Sequence, residues 1–197
     1  MNLQDPAWTR PRVSGAPITQ RKGHSAAVLK ESDTAAYILY FGGSYQGEYF
    51  NDIQLLRVEE DAGKLVYNWM SGMRILGDPP SPREGQAMTV HDDHIRVIGG
   101  CNYILQDCFE DLYELAINLP EKTFTWTRVM LKGGSDEGPG GRENHFVIEH
   151  SGKTAIFGGR NNHGHAYTDL YILNSTDDCD CDSDDSHAHF HLGHCVC

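Results

Sequence analysis

One pattern recurs three times along these 197 residues, and no other feature limits the fold so tightly. Each copy opens with an arginine (Arg21, Arg83, Arg142), followed closely by a short apolar run. A second apolar run closes on a glycine pair: Gly42 and Gly43, Gly99 and Gly100, Gly158 and Gly159. An aspartate then leads an alternating stretch (Asp52, Asp111, Asp169), and in the first two copies a tryptophan stretch follows, around Trp69 and Trp126. The first glycines lie 57 and 59 positions apart, and the second glycine precedes the aspartate by 9, 11 and 10. Periods of this length belong to architectures built by stacking one supersecondary unit on its neighbours.

Each unit reads as four short strands separated by Gly, Pro, Asn and Asp, which is one antiparallel blade. The 21 glycines and 19 aromatics, seven Phe, nine Tyr and three Trp, suit short strands and tight turns. Where the second strand ends the backbone must turn sharply, and glycine tolerates the positive φ and the close approach of neighbouring chain. The ordered set Arg, His, apolar run, Gly-Gly, Asp-Leu-Tyr and Trp resembles the kelch repeat over roughly residues 8–173. Gln86 departs from the pattern where the other copies have His24 and His145, as does Ile53-Gln54 where they have Leu-Tyr.

The resemblance implies an all-β, kelch-type β-propeller segment over residues 1–173, with about three four-stranded blades near 21–70, 83–128 and 142–173. The third copy has no tryptophan stretch after Ile172, whereas Trp8 precedes Arg21 by 13 positions, much as Trp69 precedes Arg83 by 14. Kelch-like propellers commonly close by borrowing a terminal strand, so the Trp8 stretch is expected to complete the last blade. Propellers usually hold about 4–8 blades, so three leave an incomplete ring as a monomer. Two ways to complete it stay open: a homodimer forming a six-bladed ring, Trp8 of each chain serving the other, or a longer propeller of which this is a part.

The formal charge is −12, and six acids (Asp177, Asp178, Asp180, Asp182, Asp184, Asp185) crowd the tail without a Lys or Arg, leaving about −6 for the body. Neither part offers the basic stripe that phosphate neutralisation requires, so nucleic acid is not an expected partner. No apolar run reaches signal-peptide or membrane-spanning length, which predicts a soluble protein of the cytoplasm, the nucleus staying open, without a membrane partner. In that reducing compartment the cysteines, Cys101 and Cys108 included, are expected as thiols or metal ligands, not as a disulfide framework.

Residues 174–197 read as a disordered tail rich in Asp, His and Cys. Cys179, Cys181, His187, His189, His191, His194, Cys195 and Cys197 carry donors that suit zinc, although Cys-x-Cys and His-x-His are not zinc-finger spacings. Adventitious zinc is the expected occupant, and no resident cofactor is expected.

A rigid array of strands leaves function to its connections. In kelch-like domains the loops between second and third strands share a face with those joining blades. Here they carry Tyr45, Tyr49, Phe50, Tyr103, Phe109, Arg160, His163, His165 and Tyr167, residue types that anchor protein interfaces. The reading is therefore a protein-protein interaction scaffold or adaptor, not an enzyme. Two alternatives are a metal-binding protein acting through its tail and a copper enzyme resembling galactose oxidase. Cys101, Cys108, Tyr103, His163 and His165 offer residue types for the latter, without a spacing that assembles them.

Overall fold

A computed structural model describes residues 8–30, 32–131 and 138–174. Every regular element in it is a strand. The first blade comprises β1 (Val13–Ser14), β2 (Ser25–Lys30), β3 (Ala35–Phe41), the two-residue β4 (Ser44–Tyr45) and β5 (Glu48–Tyr49), β6 (Ile53–Asp61) and β7 (Lys64–Met70). The second comprises β8 (Arg74–Leu76), β9 (Ala87–His91), β10 (His94–Ile98), β11 (Cys101–Asn102), β12 (Asp107–Cys108), β13 (Leu112–Asn118) and β14 (Thr123–Val129). The third holds β15 (Phe146–His150), β16 (Lys153–Phe157) and β17 (Leu170–Leu173).

Each of the first two blades is a four-stranded antiparallel meander, β2-β3-β6-β7 and β9-β10-β13-β14, with a short parallel strand laid on its outer edge. β1 pairs with β7 as β8 pairs with β14. Gly15 and Gly77 lie beside Trp69 and Trp126 with positive φ, and a Cβ on either would run into the tryptophan's carbonyl oxygen. Blade III is a three-stranded sheet, β15-β16-β17, among the described residues, and Trp8 is fully exposed. Thus Trp8 is not seated against any blade, and the segment following it runs along blade I.

Because strand side chains alternate, each blade shows one face to the blade before it and the other to the blade after. Ile95 and Val97 of β10, Leu115 of β13, and Phe124 and Trp126 of β14 pack back onto Leu39, Phe41 and Leu55 of blade I. Ile98 and Leu112 point forward and close a second core with Ile156, edged by Val129, Val147 and Leu173. Trp126 meets Phe41 edge to face at 5.2 Å.

The glycine pairs make this stacking feasible. The Gly43 N–H donates to the Arg83 carbonyl at 2.8 Å, and the Gly100 N–H to the Arg142 carbonyl at 2.8 Å. A Cβ on Gly42 or Gly99 would sit 2.9 or 2.8 Å from those same carbonyl oxygens, so the repeat needs a bare backbone where the next blade docks. On Gly158 the nearest neighbour would be the Tyr167 carbonyl at 3.5 Å.

Candidate protein-interaction surface

The recurring arginines set the geometry of the loop end. Arg83 is fully buried; it donates to both carboxylate oxygens of Asp111 (2.5 and 3.0 Å), to the Gly99 carbonyl (2.9 Å) and to the Ser81 carbonyl (2.9 Å). Arg21 grips Asp52 at 2.6 and 3.0 Å and the Gly42 carbonyl at 3.0 Å. Arg142 grips Asp169 at 2.6 and 3.1 Å and the Gly158 carbonyl at 2.8 Å. Two charges taken out of water need this forked pairing and the extra carbonyl acceptors. The Arg142 hydrogen bond, above all, holds the Asp169 carboxyl below the usual range.

An aromatic ring lies over each guanidinium: Phe50 at 4.5 Å from Arg21, Phe109 at 3.9 Å from Arg83 and Tyr167 at 4.0 Å from Arg142. Phe50, Phe109 and Tyr167, expected from the sequence among the interface residues, thus pack within the scaffold as well. All three are half-buried because a desolvated guanidinium draws an aromatic face onto itself, so the rings belong to the scaffold.

The remaining candidates line one end of the three blades and are tied across them. The Tyr103 N–H donates to the Tyr49 hydroxyl at 3.3 Å, joining blades I and II. The Tyr103 hydroxyl donates to Glu143 at 2.6 Å, and burial together with that carboxylate pushes its pKa up to about 12. Arg160 donates to Glu143 at 2.9 Å from an exposed side chain. Asn162 donates to the Gln106 carbonyl at 2.7 Å, and Asn161 Oδ1 accepts the N–H groups of His163 and His165 at 3.0 Å each. Tyr45, Tyr103, His163 and His165 are exposed, and Tyr49 is half-buried.

Sequence reasoning missed two features of this surface. Ile104 and Leu105, 68% and 59% exposed, cap the hairpin between β11 and β12. Consecutive apolar residues at a turn were the available signal. Buried Glu84 and Glu143 organise the inner rim, Glu84 accepting from Lys22 at 2.8 Å and Ser44 at 2.5 Å. Each directly follows its repeat arginine, which was the available signal, but the partners Lys22, Ser44 and Tyr103 come from the preceding repeat and are not marked by it.

The expectation of thiols or metal ligands at Cys101 and Cys108 is corrected: they form a disulfide. They stand directly opposite each other in the β11-β12 ladder with Cα atoms 4.0 Å apart, which brings their sulfurs together. The proposed tail ligands, Cys179 through Cys197, lie outside the described residues, and no group of His, Cys, Asp or Glu suited to a metal occurs among those described. No helix long and apolar enough to cross a membrane is present among them either.

A family model described as the KLHDC2/KLHL20/DRC7 Kelch-repeats domain matches residues 1–180. "Kelch domain-containing protein 3" of Rattus norvegicus is 28% identical over 172 residues, covering 78% of this chain and 38% of that protein. "Kelch domain-containing protein 1" of Mus musculus is 28% identical over 137 residues, covering 61% and 32% respectively. "Acyl-CoA-binding domain-containing protein 5" of Arabidopsis thaliana is 23% identical over 221 residues, covering 85% and 32%. The chain thus spans about a third of the length of these relatives. A solved structure titled "Structure of YjhT" superposes with a TM-score of 0.46 at 18% identity, over 76% of this chain and 37% of that one.

Proposed function

The chain belongs to the KLHDC2/KLHL20/DRC7 kelch-repeats family, and from that premise we propose that it is a protein-binding scaffold whose partner docks on the loop end of its blades. The observation that carries this reading is the exposed pair Ile104 and Leu105, at the tip of a hairpin closed by the Cys101–Cys108 disulfide and flanked by Tyr103 and Arg160. An apolar tip ringed by Tyr, His and Arg on a rigid frame has the composition of an interface centre. Affinity purification tests it, comparing the wild-type chain with an Ile104→Asp/Leu105→Asp variant of unchanged circular dichroism. The partners held by the wild type are expected to be lost from the variant; identical partner sets would sink the surface.

A second reading is favoured by the front of blade III. Phe146, Ile148, Phe157, Leu170 and Ile172 are all more than half exposed. By repeat register they correspond to Ser25, Ala27, Phe41, Ile53 and Leu55 of blade I, the face on which blade II stacks. We read this as a blade-docking surface that a second copy of the chain fits, giving a ring of six blades. The cytoplasmic address expected from the sequence fits either reading.

A further inference from the structure

The two joints between blades are built from opposite chemistry at five matched positions. In the joint of blades I and II, Leu29, Leu39 and Leu55 on the front of blade I meet Val90 and Ile95 on the back of blade II. Counted from the repeat arginine, the glycine pair and the repeat aspartate, the same places in the joint of blades II and III hold His91, Arg96 and Glu114 in front, and Glu149 and Thr154 behind. These five form one connected network. Arg96 donates to Glu114 at 3.0 Å and, across the joint, to the Thr154 hydroxyl at 2.8 Å; that hydroxyl donates to one Glu149 oxygen at 2.6 Å. His91 Nδ1 donates to the other Glu149 oxygen at 2.7 Å. Thr154 is fully buried, and the side chains of Arg96, Glu149 and His91 are only 13, 15 and 17% exposed.

Charged groups withdrawn from water hold only against partners that complete their hydrogen bonds, and an apolar face set against them strands them. The front of blade II therefore fits the back of blade III and rejects the back of blade I, where Val28 and Ile38 stand at the places of Glu149 and Thr154. The front of blade III has the other chemistry. Ala155 and Ile172 occupy the places of Arg96 and Glu114, so this face calls for an apolar back, and the back of blade I supplies one. The backbone agrees: Gly159 stands where Gly43 and Gly100 donate to the next blade's repeat arginine, and a Cβ on Gly158 would meet no neighbouring blade. We propose that the network around Arg96 and Glu149 is a key that fixes blade order, reserving the front of blade II for blade III and directing the front of blade III onto the back of blade I in a second copy. Two copies then satisfy both open faces in a closed ring of six, within the usual range of about 4–8 blades. The inference rests on the second-copy reading above and adds what makes that pairing selective: a rejected face as well as an accepted one.

The test moves the key to the joint between copies. In one full-length chain Ala155→Arg/Ile172→Glu writes its front half on blade III, where His150 already stands at the place of His91; in another Val28→Glu/Ile38→Thr writes its back half on blade I. None of these four positions is fully buried, so each variant should keep the wild-type circular dichroism. In native mass spectra the wild type is expected at twice 22.0 kDa and each variant alone as a monomer. An equimolar mixture of the two should return to a dimer holding one chain of each, because one joint then pairs key with key and the other apolar with apolar. Variants that dimerise alone as the wild type does, or a mixture that stays monomeric beside a dimeric wild type, overturn the key and leave the second-copy reading standing. A monomeric wild type overturns both. Should a double variant lose its sheet spectrum, Ala155→Arg mixed with Val28→Glu repeats the test with the Arg96–Glu149 pair alone.

Discussion

His145 stands where the other two repeats place His24 and Gln86, and the comparison shows what the position does. Gln86 reaches back from blade II to blade I, donating to the Phe41 carbonyl at 2.7 Å and to Ser25 at 2.9 Å. His145 is 8% exposed, and neither ring nitrogen has a partner. Burial first, and the nearby Arg142 charge second, bring its pKa down to about 4. In the unfolded chain a histidine protonates near its ordinary value, about 6.5, so the unfolded state binds the proton first as the pH falls. The fold therefore keeps its full stability above that value and loses about 3 kcal/mol through this one site by about pH 4. Urea titrations across that window should show His145→Gln flattening the decline relative to the wild type, because glutamine carries no titrating group and has the reach seen at Gln86. Arg83→Ala should cost about 3–5 kcal/mol, since it strands Asp111 and the Gly99 carbonyl without their donor; a urea midpoint close to the wild type's would show that the pair is not needed. The arginine, glycine and aspartate of each repeat are legible in the sequence as a recurring set. Their aromatic lids are not, because Phe50, Phe109 and Tyr167 read as exposed loop residues until the buried charge beneath them is placed.

At the scale of the element, the repeat serves as its own control. Ser44 and Tyr49 face each other in blade I as Cys101 and Cys108 do in blade II, and Arg160 bridges Ala166 at the corresponding site of blade III. Two of three blades thus hold this ladder without a covalent bond, so the disulfide acts on its hairpin and not on the blade. A Cys101→Ser/Cys108→Ser variant is expected to keep the β-sheet circular dichroism while losing at most about 2.5 kcal/mol, the loop-entropy value for an eight-residue ring. Limited proteolysis within residues 103–106 should speed up markedly; a loss of the whole sheet spectrum would contradict this division of roles. The strands themselves were readable from apolar runs and turn residues because blade II stacks on both faces and blades I and III repeat its apolar pattern. Opposed cysteines were not, since a separation of seven residues places them face to face only in one hairpin register. β1 and β8 also escaped notice: two- and three-residue parallel strands carry no periodicity, and the glycines beside them, Gly15 and Gly77, look like ordinary turn residues.

At the scale of the molecule, the repeat leaves one front and one back unmatched. The front of blade III is the apolar set from Phe146 to Ile172, and the back of blade I carries Val28, 59% exposed, with Trp69 against Tyr40 at 5.5 Å. In blade II the residues equivalent to Val28, Tyr40 and Trp69 are Val90, Val97 and Trp126, and all three pack in the core shared with blade I. β17 also lacks an outer neighbour among the described residues, where β6 and β13 have β7 and β14. An uncovered strand edge beside an apolar face favours association. Register makes the second-copy reading sharp. Trp69 lies opposite Leu56 and Trp126 opposite Leu115, each leucine four positions after the repeat aspartate, so Trp8 of one copy should lie opposite Leu173 of the other. The strand that would do this is close at hand, since Trp8 precedes β1 by five residues, as Trp69 precedes β8. Within one chain, blade II stands between blade I, where β1 is anchored, and the edge of β17, so the exchange has to occur between copies. Thr9→Cys combined with Ile172→Cys places two thiols opposite each other in that antiparallel register, whereas Thr9→Cys with Tyr171→Cys sets them one position apart on opposite faces. Oxidation should convert the first pair to a species of twice 22.0 kDa on a non-reducing gel, and the second far less. Equal crosslinking of both pairs, or none together with a monomeric native mass spectrum, would leave the open faces to blades supplied by something other than a second copy.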